Sequence, residues 1–127
     1  MDDNAKLTLV ESYVHHYNTF NIPGMLSLLD DGVVFENESN GVINTHTEGR
    51  EEFEQLAHES AKFFSAREQK ITYVDLSDSG ATIGIDYKGV LAVDLPNGMK
   101  AGEVLAVEGK SFFEFSGDKI CYIRDMS

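Results

Sequence analysis

Hydrophobic residues recur at helical spacing in the first quarter of the chain. From residue 4 to about residue 18 they fall at positions i, i+3, i+4 and i+7, which predicts an amphipathic helix with the inner stripe Val10, Tyr13, Val14 and Tyr17. A second, shorter helix is predicted to begin at Ile22, with Pro23 tolerated in its first turn. Its stripe is Ile22, Met25, Leu26 and Leu29, and residues 30–32, Asp-Asp-Gly, are expected to stop it.

A third helix is predicted from about Arg50, with Gly49 as a permissible N-cap. Acidic residues in its first turn suit the positive end of the helix dipole. Its inner stripe is Phe53, Leu56, Ala57, Ser60, Ala61 and Phe64. Each of the three helices has one apolar face, so together they need a second layer to pack against.

Apolar-rich segments between residues 71 and 125 predict that second layer as four strands. The breaks fall at residues 78–80, 94–98 and 117–118, which are rich in turn-forming residues. The segment before the last break is roughly fifteen residues long, whereas an average strand has about five or six, so it has to bend. We expect bends where glycine lies inside a strand, because no side chain resists coiling there: Gly84, Gly89, Gly102 and Gly109.

A further strand is predicted at residues 33–38, where side chains alternate between two faces. Val33 and Phe35 belong to the core, so Asn37 faces inward with them. Residues 39–48 contain many Asn, Gly and Thr and are interpreted as a loop at a cavity mouth. The elements predict an α+β fold in which three helices close a strongly curved antiparallel sheet.

The composition fits a single domain spanning residues 1–127. A chain of 127 residues can bury one core, and it has 10 Lys plus Arg against 22 Asp plus Glu, a net charge of −12. Such a charge repels phosphate backbones and anionic lipids, so neither nucleic acid nor a membrane is an expected partner. Cys121 cannot form an internal disulfide and no leader pattern is seen, so a reducing cytoplasm is the expected location.

Two short stretches and the order of elements carry a family resemblance. Residues 28–35 read Leu-Leu-Asp-Asp-Gly-Val-Val-Phe, and residues 48–53 read Glu-Gly-Arg-Glu-Glu-Phe. In this pattern the chain resembles the nuclear transport factor 2-like superfamily, and it looks closest to the SnoaL-like polyketide cyclases and ketosteroid isomerases. The resemblance covers nearly the whole chain and implies a cystatin-like cone. It implies fold more than activity, because this fold hosts several chemistries.

The resemblance also implies roles for individual residues. Tyr13 falls on the position of the isomerase's oxyanion-hole tyrosine, Asn37 on that of its catalytic aspartate, and Ser111 on or near that of the second oxyanion-hole acid. A neutral amide does not abstract protons, so another base is needed. His46, in the predicted mouth loop, could titrate near neutral pH over the pocket. Glu103, on the same strand face as Ser111, would have a raised pKa if it pointed inward.

The predicted pocket is largely apolar with a few polar groups, which suits a small hydrophobic or aromatic molecule. Its catalytic candidates are Tyr13, Asn37, His46 and Glu103, and its other walls are Tyr17, Phe35, Phe53, Phe64, Tyr87, Ser111 and Phe113. Structural alternatives stay open: Tyr13 as core, Asn37 as a tie to a loop, His46 as an exposed residue. No histidines have the spacing of a metal site, and no cofactor is expected.

Asp125 shares a strand face with Cys121 and Ile123. It would either close the far end of the cavity or pair with Arg67 or Arg124, and the pattern alone leaves both open.

Two functions from different classes remain open. In the first, the chain is an enzyme, an isomerase or cyclase that transfers a proton next to a carbonyl of a small hydrophobic substrate. In the second, it is a non-catalytic ligand-binding or dimerisation module of the same fold. The convex sheet face is apolar at Val90, Ala92, Val104 and Ala106, which predicts a homodimer.

Overall fold

The structure of the protein, a computed structural model, describes residues 1–127 and contains one six-stranded sheet with three helices. The helices are α1 (Asp3–Asn18), α2 (Ile22–Ser27) and α3 (Gly49–Ala61). The strands are β1 (Leu29–Ser39), β2 (Val42–Glu48), β3 (Phe64–Leu76), β4 (Gly80–Leu91), β5 (Val104–Ser116) and β6 (Lys119–Met126). The predicted α+β class with a curved sheet is confirmed.

Helix α1 begins with a side-chain cap and packs its predicted stripe into the core. The Asp2 carboxylate accepts a hydrogen bond from the Ala5 backbone nitrogen at 2.7 Å, which satisfies one of the amides left free at a helix start. Val10 is fully buried, and Tyr13 and Val14 are each 5% exposed. The predicted inner face of this helix is therefore confirmed.

Helix α2 is shorter than its hydrophobic spacing predicts. It ends at Ser27, and Leu29 opens β1 instead of closing the helix. The predicted stop at residues 30–32 is wrong, because these residues already lie in β1. Short apolar runs fit a helix or a strand equally well, and here pairing of Leu29 with Ile120 on β6 decides for the strand.

The six strands follow the order β2-β1-β6-β5-β4-β3. The last four strands in the sequence form the predicted antiparallel meander. Strand β1 lies beside β6 and runs parallel to it, so the sheet is mixed. This one parallel pairing brings the first strand against the last, so that residues 33–38 lie beside β6.

The predicted loop at residues 39–48 is wrong over most of its length. Val42–Glu48 forms β2, which pairs with β1 as a hairpin. The connecting turn is Asn40 and Gly41, with φ of 53° and 80°. A two-residue turn with both φ angles positive is the tight connection favoured between antiparallel strands. The residue types that signalled a loop therefore make a hairpin.

The loop between β4 and β5 includes residues 92–103 and reaches further than predicted. The Gly102 nitrogen donates to the Leu91 oxygen at 2.8 Å, and the Leu91 nitrogen donates to the Glu103 oxygen at 2.9 Å. Gly102 has a φ of +90°, a conformation that favours glycine. It closes a loop rather than bending a strand, and β5 starts only at Val104.

The hydrophobic core lies between the helices and the inner face of the sheet. Its buried members are Val10, Tyr13, Val14, Met25, Leu29, Val33, Phe53, Ala81, Ile83, Ile85, Phe113, Ile120 and Ile123. They come from α1, α2, α3 and the strands β1, β4, β5 and β6, so the two layers are joined by one continuous core. None of the three helices has the length and apolar character needed to cross a membrane.

Candidate functional site

A cavity of about 280 Å³ lies between the helices and the sheet, close to the lower end of the roughly 300–1,000 Å³ range of small-molecule sites. The predicted residues Tyr13, Tyr17, Phe35, Asn37 and Phe53 are in its wall. The rest of the wall is Met25, Thr45, Leu56, Ala57, Ser60, Arg67 and Asp125. The cavity is thus mostly hydrophobic, with a few polar groups that could orient a ligand.

A second cavity, of about 220 Å³, shares Tyr17, Asn37 and Asp125 with the first. It contains two more predicted residues, Tyr87 and Ser111. Its other walls are Gln69, Ile85, Leu105, Val107, Glu108, Gly109, Lys110, Met126 and Ser127. The three shared residues stand where the two cavities meet.

Four polar side chains form a row across the inner face of the sheet. The strand register pairs Ser111 on β5 with Asp125 on β6, and Asp125 with Asn37 on β1. It also pairs Asn37 with Thr45 on β2. Residues directly opposite each other on neighbouring strands point to the same face, and each of these four is in the wall of a cavity. Four strands therefore contribute one polar row to the site.

Asp125 is the charged member of this row. The Ser111 hydroxyl donates a hydrogen bond to its Oδ1 at 2.6 Å. Burial raises the pKa of Asp125 to about 6, although the hydrogen bond from Ser111 acts in the opposite direction. Of the two alternatives for this residue, the place in the cavity wall is the observed one, since Arg124 pairs instead with Glu36 and Glu38. A carboxyl that titrates near neutral pH is suited to accept and return a proton.

Tyr13 places a phenol in the wall of the same cavity. Its ring packs edge-on against Phe113, with 5.6 Å between the ring centroids. Burial, and to a smaller extent the carboxylate of Asp125, raises the pKa of the Tyr13 hydroxyl, so the hydroxyl keeps its proton. No protein group accepts a hydrogen bond from it. It is therefore free to donate one to a ligand oxygen.

Asn37 is tied to the neighbouring strand while it faces the cavity. Its amide nitrogen donates to Oδ1 of Asn44 at 3.0 Å, which joins β1 to β2. With the nitrogen engaged, the amide oxygen is the group left for a ligand, and it can only accept a hydrogen bond. A ligand contact and a structural tie were predicted as alternatives for Asn37. One side chain can serve both, because the nitrogen makes the tie and the oxygen is left for the ligand.

An arginine lies in the cavity wall on the β3 side. Arg67 donates from Nε to the backbone oxygen of Tyr17 at 2.9 Å. Its guanidinium carbon is 3.7 Å from the centre of the Tyr17 ring and 4.4 Å from that of Phe20. The Tyr17 hydroxyl in turn donates to the Tyr87 hydroxyl at 3.0 Å. The guanidinium is therefore held in a fixed orientation by stacking and by one backbone bond.

The prediction that His46 lies in a mouth loop above the pocket is wrong. His46 is in β2, paired with Glu36 and adjacent to Thr45. Since neighbouring residues in a strand face opposite sides, His46 faces the outer side of the sheet while Thr45 faces the cavity. Its two ring nitrogens lie 3.0 Å from oxygens of Glu36 and Glu48. Both contacts raise the pKa of His46, and the contact with Glu48 has the larger effect.

The prediction that Glu103 points into the cavity is also wrong. Glu103 precedes β5 and is exposed. Its carboxylate accepts a hydrogen bond from the Lys100 backbone nitrogen and so helps to close the loop between β4 and β5. The inward direction depended on a strand register that begins only at Val104.

Phe64 and Phe113, both predicted in the pocket wall, pack behind it. Phe113 is 1% exposed and supports Tyr13 from the core. Phe64 packs edge-on against Tyr87, with 5.8 Å between the ring centroids. Phe113 therefore belongs to the core, whereas the half-buried Phe64 supports Tyr87, which is in the wall of the second cavity.

The charged residues of the cavity are Arg67 and Asp125. Neither is among the predicted wall residues, although closing the far end of the cavity is one of the two alternatives predicted for Asp125. Alternation with Ile123 along β6 was the available signal for Asp125, and it correctly indicated the inner face. For Arg67 the sequence offered no such signal, because the residues around it in β3 are mostly polar and exposed. A buried arginine in such a segment cannot be told from an exposed one by its pattern.

Solved structures show how widely this fold occurs. A proposed polyketide cyclase from Xanthomonas campestris has a TM-score of 0.83 at 18% identity, covering 98% of this chain and 90% of that one. A protein with a ketosteroid isomerase-like fold from Catenulispora acidiphila, in complex with trimethylamine, has a TM-score of 0.75 at 15% identity, covering 92% and 82%. An LEH-like epoxide hydrolase from M. tuberculosis has a TM-score of 0.76 at 15% identity, covering 97% of this chain and 82% of that one.

These identities are low, so the likeness is one of fold. The fold is the cystatin-like one that the sequence resemblance implied. A comparison with curated protein sequences finds no match. The sequence profile of the SnoaL-like domain matches residues 10–123, which is most of the chain and contains Tyr13, Asn37 and Ser111, whereas Asp125 lies just beyond the matched residues. The chain therefore belongs to the SnoaL-like domain family.

Proposed function

We propose that this protein binds a small hydrophobic carbonyl compound and transfers a proton next to the carbonyl, with Asp125 as the acid-base group. The position of Asp125 carries the proposal. Its carboxyl is in the wall common to both cavities, and its side-chain hydrogen bond comes from Ser111. Burial raises its pKa to about 6, so both protonation states are accessible near neutral pH.

The proposed reaction begins with ionised Asp125 as the base. Its carboxylate removes a proton from the carbon beside the ligand carbonyl, and the electrons of the broken C–H bond form an enolate. The negative charge moves to the carbonyl oxygen, where the Tyr13 hydroxyl donates a hydrogen bond to it. In an isomerisation, where a C=C bond is conjugated with the enolate, protonated Asp125 then returns the proton to the far carbon of this dienolate. In an aldol-type cyclisation, the enolate carbon instead attacks a second carbonyl carbon of the same molecule, the π bond of that carbonyl breaks, and the resulting alkoxide takes the proton from Asp125.

The hydrophobic walls support this chemistry. Phe35 and Phe53 meet edge-on, with 5.7 Å between their centroids, and offer flat apolar surface to a ligand. An apolar enclosure strengthens the interaction of the enolate with its hydrogen-bond donor. The proposed polyketide cyclase and the ketosteroid isomerase-like fold among similar structures support carbonyl chemistry by analogy of fold alone.

Deuterium exchange tests the proposal without knowledge of the natural substrate. A panel of small hydrophobic ketones and ketoesters is incubated with the protein in D₂O, and loss of the signal of the proton beside the carbonyl is followed by NMR. Wild type should exchange at least one compound, and Asp125→Asn should slow that exchange by about 10²- to 10⁴-fold while its affinity stays similar. Equal rates in the two proteins would exclude Asp125 as the base.

A non-catalytic ligand-binding module is the second candidate function. It is favoured by the neutral amide of Asn37 at the position where the family resemblance implies an aspartate. In that case ligands should raise the melting temperature, yet no compound that binds should exchange its protons. The same panel therefore separates the two functions.

Dimerisation through the convex sheet face also remains a proposal. It is supported by Val104, which is 58% exposed on that face. Sedimentation equilibrium of wild type and Val104→Lys tests it: a dimer that uses this face should dissociate in the variant, because a buried unpaired lysine is costly.

A further inference from the structure

A buried arginine faces the cavity without a carboxylate partner. Arg67 is 6% exposed and lies in the cavity wall. The arginine ion pairs of this chain are made by Arg50 and Arg124, and the hydrogen bond that Arg67 makes uses Nε. The two terminal nitrogens of Arg67 therefore have N–H groups with no acceptor in the protein.

Structural roles account for only part of this side chain. Its Nε secures the end of α1 through the Tyr17 backbone oxygen. The rings of Tyr17 and Phe20 cover the guanidinium. Neither role uses the terminal nitrogens, and no carboxylate of the protein balances the guanidinium charge in the mostly hydrophobic cavity wall. An anion that enters the cavity would supply the missing partner.

We propose that Arg67 binds a carboxylate group of the substrate, so that the substrate is a small hydrophobic keto acid rather than a neutral ketone. This inference rests on the proposed function, since it treats the cavity as the substrate site. The two terminal nitrogens of a guanidinium match the two oxygens of a planar carboxylate. Stacking on Tyr17 holds that fork in one orientation, so little freedom is lost on binding.

The single positive charge selects a carboxylate over a phosphate. Arg67 is the one lysine or arginine in the wall of the larger cavity. A phosphate dianion would bring a second negative charge that no neighbour balances, close to a wall that also contains Asp125. A carboxylate carries one charge and one plane of oxygens, which this arginine alone can satisfy.

The separation of the two charged residues fits a molecule with two functional groups. Arg67 is on β3 and Asp125 is on β6, with β5 and β4 between them. Three strand spacings correspond to about 14 Å along the sheet, and curvature and the length of the arginine side chain shorten the gap. Tyr13 is in the wall of the same cavity as both residues. A ligand anchored on Arg67 would thus present its carbonyl to Tyr13 and its reacting carbon to Asp125.

A matched pair of probes tests the inference: phenylacetate and phenylacetamide, which have nearly the same shape and differ in charge. Wild type should bind the acid about tenfold or more tightly than the amide, as measured by calorimetry. In Arg67→Gln the two should bind within about twofold, whereas Arg124→Gln, on the outer face, should retain the preference. Equal affinity for both probes in wild type would overturn the inference, and so would a preference that survives in Arg67→Gln.

A second test uses only the wild-type protein, so it does not depend on whether a variant folds. The chain has three arginines, Arg50, Arg67 and Arg124, so their side-chain NMR signals can be resolved. Titration with acetate, benzoate and phenylacetate should shift the Arg67 signal to saturation with at least one acid. The absence of a saturable shift with all three would overturn the inference.

Asp125→Asn separates this inference from the proposed function. The variant should keep the preference for the acid while it loses proton exchange. If wild type prefers the acid but exchanges no proton in any compound, the proposed function is contradicted and the role of Arg67 is supported. If wild type exchanges protons but does not prefer the acid, only the role of Arg67 is contradicted.

Discussion

Ser111 donates a hydrogen bond to Asp125 at 2.6 Å across the pairing of β5 with β6. Burial raises the pKa of this carboxyl to about 6, and the hydroxyl of Ser111 opposes that effect. One hydroxyl therefore tunes the acid that lies where the two cavities meet.

Ser111→Ala should raise the pKa of Asp125 further, because the variant removes a hydrogen bond that favours the ionised carboxyl. The midpoint of the pH profile of proton exchange should move to higher pH, and the rate at neutral pH should fall. The profile is measured by NMR in D₂O buffers. Ser116→Ala, at the exposed end of the same strand, serves as the control, and an identical midpoint in both variants would contradict the prediction.

The contribution of Asp125 to the free energy of unfolding should fall as pH rises. Its pKa is raised from 3.8 to about 6, so it binds its proton more tightly in the folded state than in the unfolded state. The stabilisation from that proton is complete below the unfolded pKa and is lost as pH rises through the folded pKa.

The difference in unfolding free energy, Asp125→Asn minus wild type, should therefore grow between about pH 4 and pH 7, by at most about 3 kcal/mol. Urea denaturation across this range measures it, and contributions from other titrating groups cancel in the difference. A difference that stays constant, or that shrinks with pH, would show that burial does not raise this pKa.

Tyr13→Phe should slow proton exchange by about 10²- to 10³-fold, because the proposed donor to the enolate oxygen is lost. Stability should change little, since no protein group accepts a hydrogen bond from this hydroxyl. Exchange rates and urea midpoints are measured together. Tyr73→Phe removes a hydroxyl from a residue that is 51% exposed, and it should leave both quantities unchanged.

His46→Ala and Glu103→Gln should each leave the exchange rate within about twofold of wild type. His46 contacts Glu36 and Glu48 on the outer face, and Glu103 accepts a hydrogen bond in an exposed loop. Neither side chain is in a cavity wall. Initial rates at one pH check this, and a tenfold loss in either variant would restore that residue as a candidate base.

Lys6→Met should destabilise the fold. Lys6 is 5% exposed, and its Nζ donates to the backbone oxygens of Ser77 at 2.6 Å and Asp78 at 3.0 Å. The variant leaves both carbonyls unpaired beneath α1, at a cost of about 1–3 kcal/mol. Urea denaturation measures the loss. Lys62→Met, at an exposed position, should cost much less.

Local patterns in the sequence determined the helices, the meander and the inward direction of several site residues. A period of 3.6 residues was enough to place Val10, Tyr13 and Val14 on one buried face, and alternation was enough to turn Asn37 inward. These features depend on neighbours within a few residues along the chain, which a sequence displays directly.

Only the tertiary structure decided which polar groups work together. Asn37 meets Asp125 because β1 runs parallel to β6, and no local pattern states which strands will be neighbours. The raised pKa of Asp125 and the unpaired guanidinium of Arg67 likewise depend on burial and on partners that are distant in sequence. Electrostatic effects follow distance and solvent exposure in space, so the chemistry of the site exists only once the chain has folded.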